Sequence, residues 1–299
     1  MIIIKDNNKK ISEYLAGKIP STEQLNTWME SFHTNGFLVI PNVLTPEKCE
    51  SLKNDLDKVL DKTEEAKDES YNPLKKAYSS VRIMERMFEH SQDNLDLFTM
   101  EPIVTFAEHL IGEANGKGYS RNDGMPNANV VHVIHNNSFK IPPQTDGLAN
   151  NRWHQDDTPH ILSLDGKPLT NIRLNVLAFS VNYYLTDVLS PDNGPTQVIP
   201  GSHLFGKFCD GNVLGYEDKI HSCLGGMGTA VCFNNQVWHR GSRNSSSVPR
   251  YITQVTYGKR LVGHKYAPFM NYQMPSHCYE EADERLKRLL GFLPHGAYG

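Results

Sequence analysis

The seven residues Asn151–Asp157, N-R-W-H-Q-D-D, set an imidazole and a carboxylate two positions apart. Successive side chains on an extended strand alternate faces, so His154 and Asp156 point the same way. A neutral imidazole and a carboxylate are two members of a two-histidine, one-carboxylate set. Such a set binds Fe(II) on one face and leaves the remaining positions open to substrate and O2. Taken alone, H-x-D is equally the polar face of a surface strand, so the metal reading needs a second histidine and an anion-binding group downstream. His239 supplies the first. In V-C-F-N-N-Q-V-W-H-R-G-S it follows a strand, Thr229–Phe233, and a turn at Asn234-Asn235, which puts it at the start of the next strand. Arg250 supplies the second, opening R-Y-I-T-Q-V, where its planar guanidinium can grip a carboxylate through two hydrogen bonds.

Elements that could hold these groups are legible on both sides. Ser21-Thr22-Glu23-Gln24 has the form of a helix-capping box. Leu25, Trp28, Met29 and Phe32 then recur on one helical face, which Gly36 can end. Phe37–Ile40 is a short apolar strand, and Thr45-Pro46 opens a second helix with Cys49, Leu52, Leu56, Val59 and Leu60 as its buried stripe. A third helix falls near Pro102–Ile111. From about Asn129 the texture changes to short β-branched or aromatic runs broken by Gly, Pro, Asn and Asp: Val130–His135, Leu174–Leu185, Gln197–Ile199, Thr229–Phe233 and Arg250–Thr256. That pattern predicts an antiparallel sandwich or barrel. A closing helix is expected near Glu280–Leu290, stopped by Gly291. The expectation is one domain over 1–299, mainly β, with a helical front part (about 1–115) packed on a β-core (about 127–262).

Composition excludes several function classes. In 299 residues, 34 acids against 30 bases give a net charge of -4, so no basic footprint for nucleic acid is present. The five cysteines (Cys49, Cys209, Cys223, Cys232, Cys278) are scattered and odd in number, which reads as reduced thiols of a cytoplasmic protein. No apolar run approaches the length of a membrane span. The expected partner is a small molecule; the oligomeric state is left open.

With His154, Asp156, His239 and Arg250 in this order, the chain resembles the phytanoyl-CoA dioxygenase family of Fe(II)/2-oxoglutarate-dependent oxygenases. Further motifs carry the likeness: D-N-G-P-T-Q-V-I-P-G-S-H at Asp192–His203, N-G-F-L-V-I-P-N-V-L-T-P-E-K-C at Asn35–Cys49, and L-G-F-L-P-H-G-A-Y-G at Leu290–Gly299. The resemblance implies a double-stranded β-helix (jelly-roll, cupin-like) core. It implies Fe(II) on His154, Asp156 and His239, and 2-oxoglutarate held by Arg250, with Asn151, Asn182 and Thr196 as further cosubstrate contacts. O2 completes the cofactor set. Because a carboxylate, Asp156, stands where related halogenases carry a small residue, the resemblance favours hydroxylation over chlorination.

The expected reaction is hydroxylation of an aliphatic carbon of a small, polar natural product, with desaturation, epimerisation, ring formation or acyl-CoA hydroxylation as other outcomes. Two readings from other classes stand beside it: a non-catalytic jelly-roll metal-binding protein, and a zinc hydrolase activating water on the same ligands. His135 and Trp153 flank the presumed mouth and are candidates to touch substrate. Pro159–Arg173, rich in Pro, Gly, Asp and Lys, reads as a loop or lid. His203 is expected in a structural turn, His132 on a strand face, Asp157 facing away from the ligands, and Tyr183 and Tyr184 in the core.

Overall fold

A computed structural model describes residues 14–65, 81–113, 128–144, 152–156, 160–264 and 272–292. The first helix, α1 (Thr22–Asn35), starts where the sequence says. The Ser21 hydroxyl accepts from the Gln24 N–H at 3.2 Å, and Gly36 ends it in the left-handed region at φ 79°. A side chain at Gly36 would also be pressed against His203 Nδ1 at 2.7 Å. The chain then runs through β1 (Phe37–Ile40), α2 (Pro46–Glu65), β2 (Arg82–Glu85), the short α3 (Gln92–Asp96) and α4 (Ile103–Ile111). β3 (Val131–Ile141), β4 (Ala178–Tyr184), β5 (Thr196–Val198), β6 (His221–Cys223), β7 (Ala230–Asn234), β8 (His239–Gly241), β9 (Arg250–Lys259) and α5 (Glu284–Leu289) follow.

Two antiparallel sheets form a jelly roll. The major sheet has six strands in the order β1-β7-β4-β9-β3-β2, the minor three in the order β6-β5-β8. The helical front part therefore lends both edge strands of the major sheet, β1 and β2, and covers its outer face. Side chains alternate between two environments along the central strands. On β4 and β9, Phe179, Val181, Tyr183, Tyr251, Val255 and Tyr257 enter the core shared with the helices. There Phe32 of α1, Phe106 of α4 and Phe179 meet edge-to-face with centroids 5.6 Å apart. Tyr184 and Ile252 point the other way, between the sheets, with Val231 and Phe233. Every residue of β4 is buried, including Ser180 and Asn182 on the inner face.

The predicted elements are found with shifted bounds, β3 running on to Ile141 and β4 starting only at Ala178. The closing helix is shorter than expected, because Asp283 is its N-cap, accepting from the Leu286 N–H at 2.7 Å. Strand β2 (R-I-M-E) has no alternation to announce it. All five cysteines are free thiols, and burial pushes the Cys49 pKa up to about 12. No helix among the described residues is long and apolar enough to cross a membrane.

Candidate active site

His239 opens β8 and faces inward, buried. Its N–H donates to the His154 carbonyl, and the His154 N–H donates to the His239 carbonyl, both at 3.0 Å. His154 therefore lies not in a strand, as the sequence suggests, but in an extended segment hung on β8 by a single bridge. The Asp156 N–H donates to the Asn235 carbonyl at 2.8 Å and fixes the next rung. Extended backbone alone preserves the alternation, so His154 and Asp156 still share a face.

The ligand atoms of His154, Asp156 and His239 all lie within 4.8 Å of one another. Asp156 Oδ1 is 3.7 Å from His239 Nε2 and 4.0 Å from His154 Nε2, and the two imidazole centroids are 4.3 Å apart. Each Nδ1 is tied to backbone, His239 to the Val237 carbonyl at 2.8 Å and His154 to the Arg152 carbonyl at 3.1 Å. A carbonyl only accepts, so each Nδ1 carries the proton and each Nε2 presents a lone pair toward Asp156. The residues fit a divalent transition metal: two imidazoles and one carboxylate, with tautomers set by the chain. The side chain of His154 is 50% exposed and that of His239 6%, so the cluster opens on the His154 side.

Arg250, the first residue of β9, is 7% exposed, and neither Nε nor Nη1 has a hydrogen-bond partner among the described residues. Burial pulls its pKa down to about 10, with only Tyr184 opposing. Gly241 of β8 stands beside it, since a Cβ there would lie 3.9 Å from Nη2. A buried guanidinium with idle donors fits a carboxylate brought in from solution.

Between Arg250 and the metal cluster, the inner face carries a polar chain. Gln254 Nε2 donates to Asn182 Oδ1 at 2.8 Å, and Asn182 Nδ2 donates to Thr196 Oγ1 at 3.0 Å. The structure thus brings Asn182 and Thr196 together, one from each sheet. Gln254 was missed in the sequence; its parity with Arg250 on one strand was the available signal. Closer to the metal residues, Ser180 contacts Thr256 at 2.9 Å and donates to Asn235 Oδ1 at 3.3 Å.

The remaining candidates take different places. Trp153 is buried with Ile199, Val213 and Trp238, and Arg240 lies over its ring at 4.8 Å, so its side chain packs away from the ligand face instead of lining the mouth. His135 is half-buried on β3, paired with Thr256 on β9. His203 is structural: its Nε2 donates to the His33 carbonyl at 3.0 Å. His132 is buried, donating to the Val262 carbonyl at 2.8 Å. Tyr183 and Tyr184 are fully buried core residues. Asn151 and Asp157 lie outside the described residues, and of the expected lid only 160–173 is described, without helix or strand.

Known proteins can now be set beside this geometry. The family model for phytanoyl-CoA dioxygenase (PhyH) matches residues 32–252. HygX from Streptomyces hygroscopicus, solved with nickel, 2-oxoglutarate and hygromycin B bound, is similar at 16% identity and TM-score 0.57, over 82% of this chain and 90% of that one. The non-heme monooxygenase ThoJ is similar at 18% identity and TM-score 0.55, over 78% and 77% of the two chains. SnoN, the non-heme alpha ketoglutarate dependent epimerase from nogalamycin biosynthesis, is similar at 17% and 0.55, over 80% and 85%. No curated protein matches the chain by sequence. These structural likenesses speak for the jelly-roll fold, while the family model spans most of the sequence and every strand from β1 to the first three residues of β9. The chain belongs to the phytanoyl-CoA dioxygenase family.

Proposed function

We propose that this protein is an Fe(II)/2-oxoglutarate-dependent oxygenase that hydroxylates an aliphatic carbon of a small, polar natural product. The observation that carries the reading is the buried Arg250, with unpartnered donors on the same inner face as a His/Asp/His cluster. A purely structural metal site, or a zinc hydrolase, has no use for a second anion clamp at that place.

His154, Asp156 and His239 would hold the iron through Nε2, a carboxylate oxygen and Nε2. When bound, iron(II) with 2-oxoglutarate and O2 supplies the oxidising chemistry, with succinate and CO2 as co-products. The chain's own part is positional. The Val237 and Arg152 carbonyls keep both imidazoles in the ligating tautomer. Arg250 takes the distal carboxylate and so fixes the reach of the cosubstrate toward the metal. Phe233, its ring 4.6 Å from that of His239, keeps water from the buried side of the cluster. Asp156 would supply the third protein ligand, at the place a halide would need to find open. The open side, at His154, is where the substrate would enter, with His135 as a flanking contact.

Anaerobic titration of metal-free protein with Fe(II) and 2-oxoglutarate tests the reading. A visible iron-to-cosubstrate charge-transfer band is expected in wild type. It should be lost in His154→Ala and need far more 2-oxoglutarate in Arg250→Ala. A folded wild type with no band at high cosubstrate would sink the proposal. Succinate release can then screen substrates; turnover of acyl-CoA thioesters but not of small polar molecules would overturn the substrate class.

A further inference from the structure

The second rung of the inner face holds a chain of three neutral groups whose direction matters. Gln254 and Asn182 are direct partners across β9 and β4, and Asn182 then crosses between the sheets to Thr196 on β5. Thr196 pairs with Gly241, the residue beside the Arg250 guanidinium. Its N–H donates to Tyr184 Oη at 3.1 Å, and Tyr184 is the side chain acting on the charge of Arg250. Thr196 therefore sits across from the glycine that flanks Arg250, and the residue is buried at 4% exposure.

A carboxamide has one accepting and one donating end. While Gln254 Nε2 donates to Asn182 Oδ1, Asn182 must present its NH2 to Thr196. Thr196 then accepts, and its own proton stays available to a third group. Were Asn182 turned over, Thr196 would spend its single proton on Asn182 Oδ1 and offer Arg250's ligand nothing but lone pairs. We propose that Gln254 is a positioning residue which, through Asn182, keeps the Thr196 hydroxyl as a hydrogen-bond donor to the distal carboxylate held by Arg250. This rests on the cosubstrate reading above and assigns a role to a residue that reaches Thr196 through Asn182.

The test is 2-oxoglutarate affinity of the Fe(II) protein under anaerobic conditions, read from the charge-transfer band in Thr196→Val, Gln254→Met and their double variant. Loss of one hydrogen bond in Thr196→Val should weaken 2-oxoglutarate by about tenfold. Gln254→Met, which lets Asn182 turn, should weaken it by roughly half that factor or more. The double variant should be no weaker than Thr196→Val alone, because Gln254 acts only through that hydroxyl. Fe(II) affinity should not change in any of them. Gln254→Glu keeps the size and can only accept, so it should weaken binding at least as much as Gln254→Met, with the excess shrinking when Thr196→Val is added. Additive losses, or a parallel loss of Fe(II) affinity, would overturn the relay while leaving the cosubstrate reading intact. Absence of the band in wild type would instead remove the cosubstrate reading itself.

Discussion

Two regions of this molecule bury arginines, and they treat them differently. Between α4 and α5, Arg285 donates to Glu101 at 2.8 Å and to Glu108 at 2.7 and 2.9 Å. Arg288 reaches Glu108 and the carbonyls of Ala128 and Val131 at 2.7 and 2.8 Å. Burial is the largest single influence on Glu108 and pulls its pKa up, yet the hydrogen bonds and charges of the two arginines together hold it below the usual carboxylate range. Burial likewise disfavours the charge on Arg285, but Glu108 and Glu101 outweigh it and push that pKa up. At Arg288 burial outweighs Glu108 and lowers the pKa even so. At the mouth of the jelly roll, Arg250 has no such carboxylate beside it among the described residues, and burial wins there too. An arginine whose task is to join two helices to a sheet brings its counter-ions in the same chain. On the role proposed for Arg250, an arginine that receives an anion is left with idle donors, at a cost in stability that a bound carboxylate would offset.

That contrast can be broken by experiment. The largest effect should be on affinity: Arg250→Met is expected to weaken 2-oxoglutarate by about 3–5 kcal/mol while leaving the melting temperature of the ligand-free protein unchanged or higher. A fall in melting temperature without ligand would mean that Arg250 has a structural partner after all. Glu108→Ala should do the reverse, costing about 3 kcal/mol of unfolding free energy because the buried Arg288 and the partly buried Arg285 lose their anion, with 2-oxoglutarate affinity unaltered. Denaturant unfolding checks it.

The same network sets an acid limb. A carboxylate with a depressed folded-state pKa binds fewer protons than its unfolded counterpart. Its contribution is therefore full above the ordinary value near 4.5 and lost as pH falls through the lower folded value. Glu108→Gln should flatten stability against pH in that window and lower it by a constant amount above. Next in size, 2-oxoglutarate at 100 times its dissociation constant, with Fe(II) present, should stabilise wild type by about 2.7 kcal/mol and Arg250→Met not at all. The smallest effect should come from Lys48→Ala. Its bonds to Asp93 at 2.7 Å and Asp96 at 3.0 Å lie toward solvent, and their removal should cost under about 1 kcal/mol. A loss as large as that of Glu108→Ala would dissolve the distinction between enclosed and solvated pairs.

What could be foreseen in the sequence follows the range over which each signal acts. Ser21 and Gly36 announce α1 because capping is local chemistry, completed within three or four residues. His154 and Asp156 share a face because extended backbone alternates whether or not a sheet surrounds it, so the pair was legible although its strand was not. Trp153 shows the limit. Next to a ligand in sequence, it points the other way, and only the placement of Trp238 and Arg240 decides that it is packed. Gln254 is hidden for another reason. A glutamine within R-Y-I-T-Q-V looks like a solvated position until β4 and β5 come to face it. Asn235 reads as a turn residue, and its turn does end β7. Its contact with Ser180, however, depends on a strand 55 residues away.

The reciprocal bridge between His154 and His239 joins two of the three candidate metal ligands through their own backbones. Whatever opens the cluster must also break those two hydrogen bonds, and whatever tightens it must protect them. Exchange of the two histidine amides with deuterated solvent thus becomes a gauge of the site that needs neither turnover nor a known substrate. Slowing of both together on addition of metal would register occupancy residue by residue. A ligand that slowed neither would be binding somewhere else.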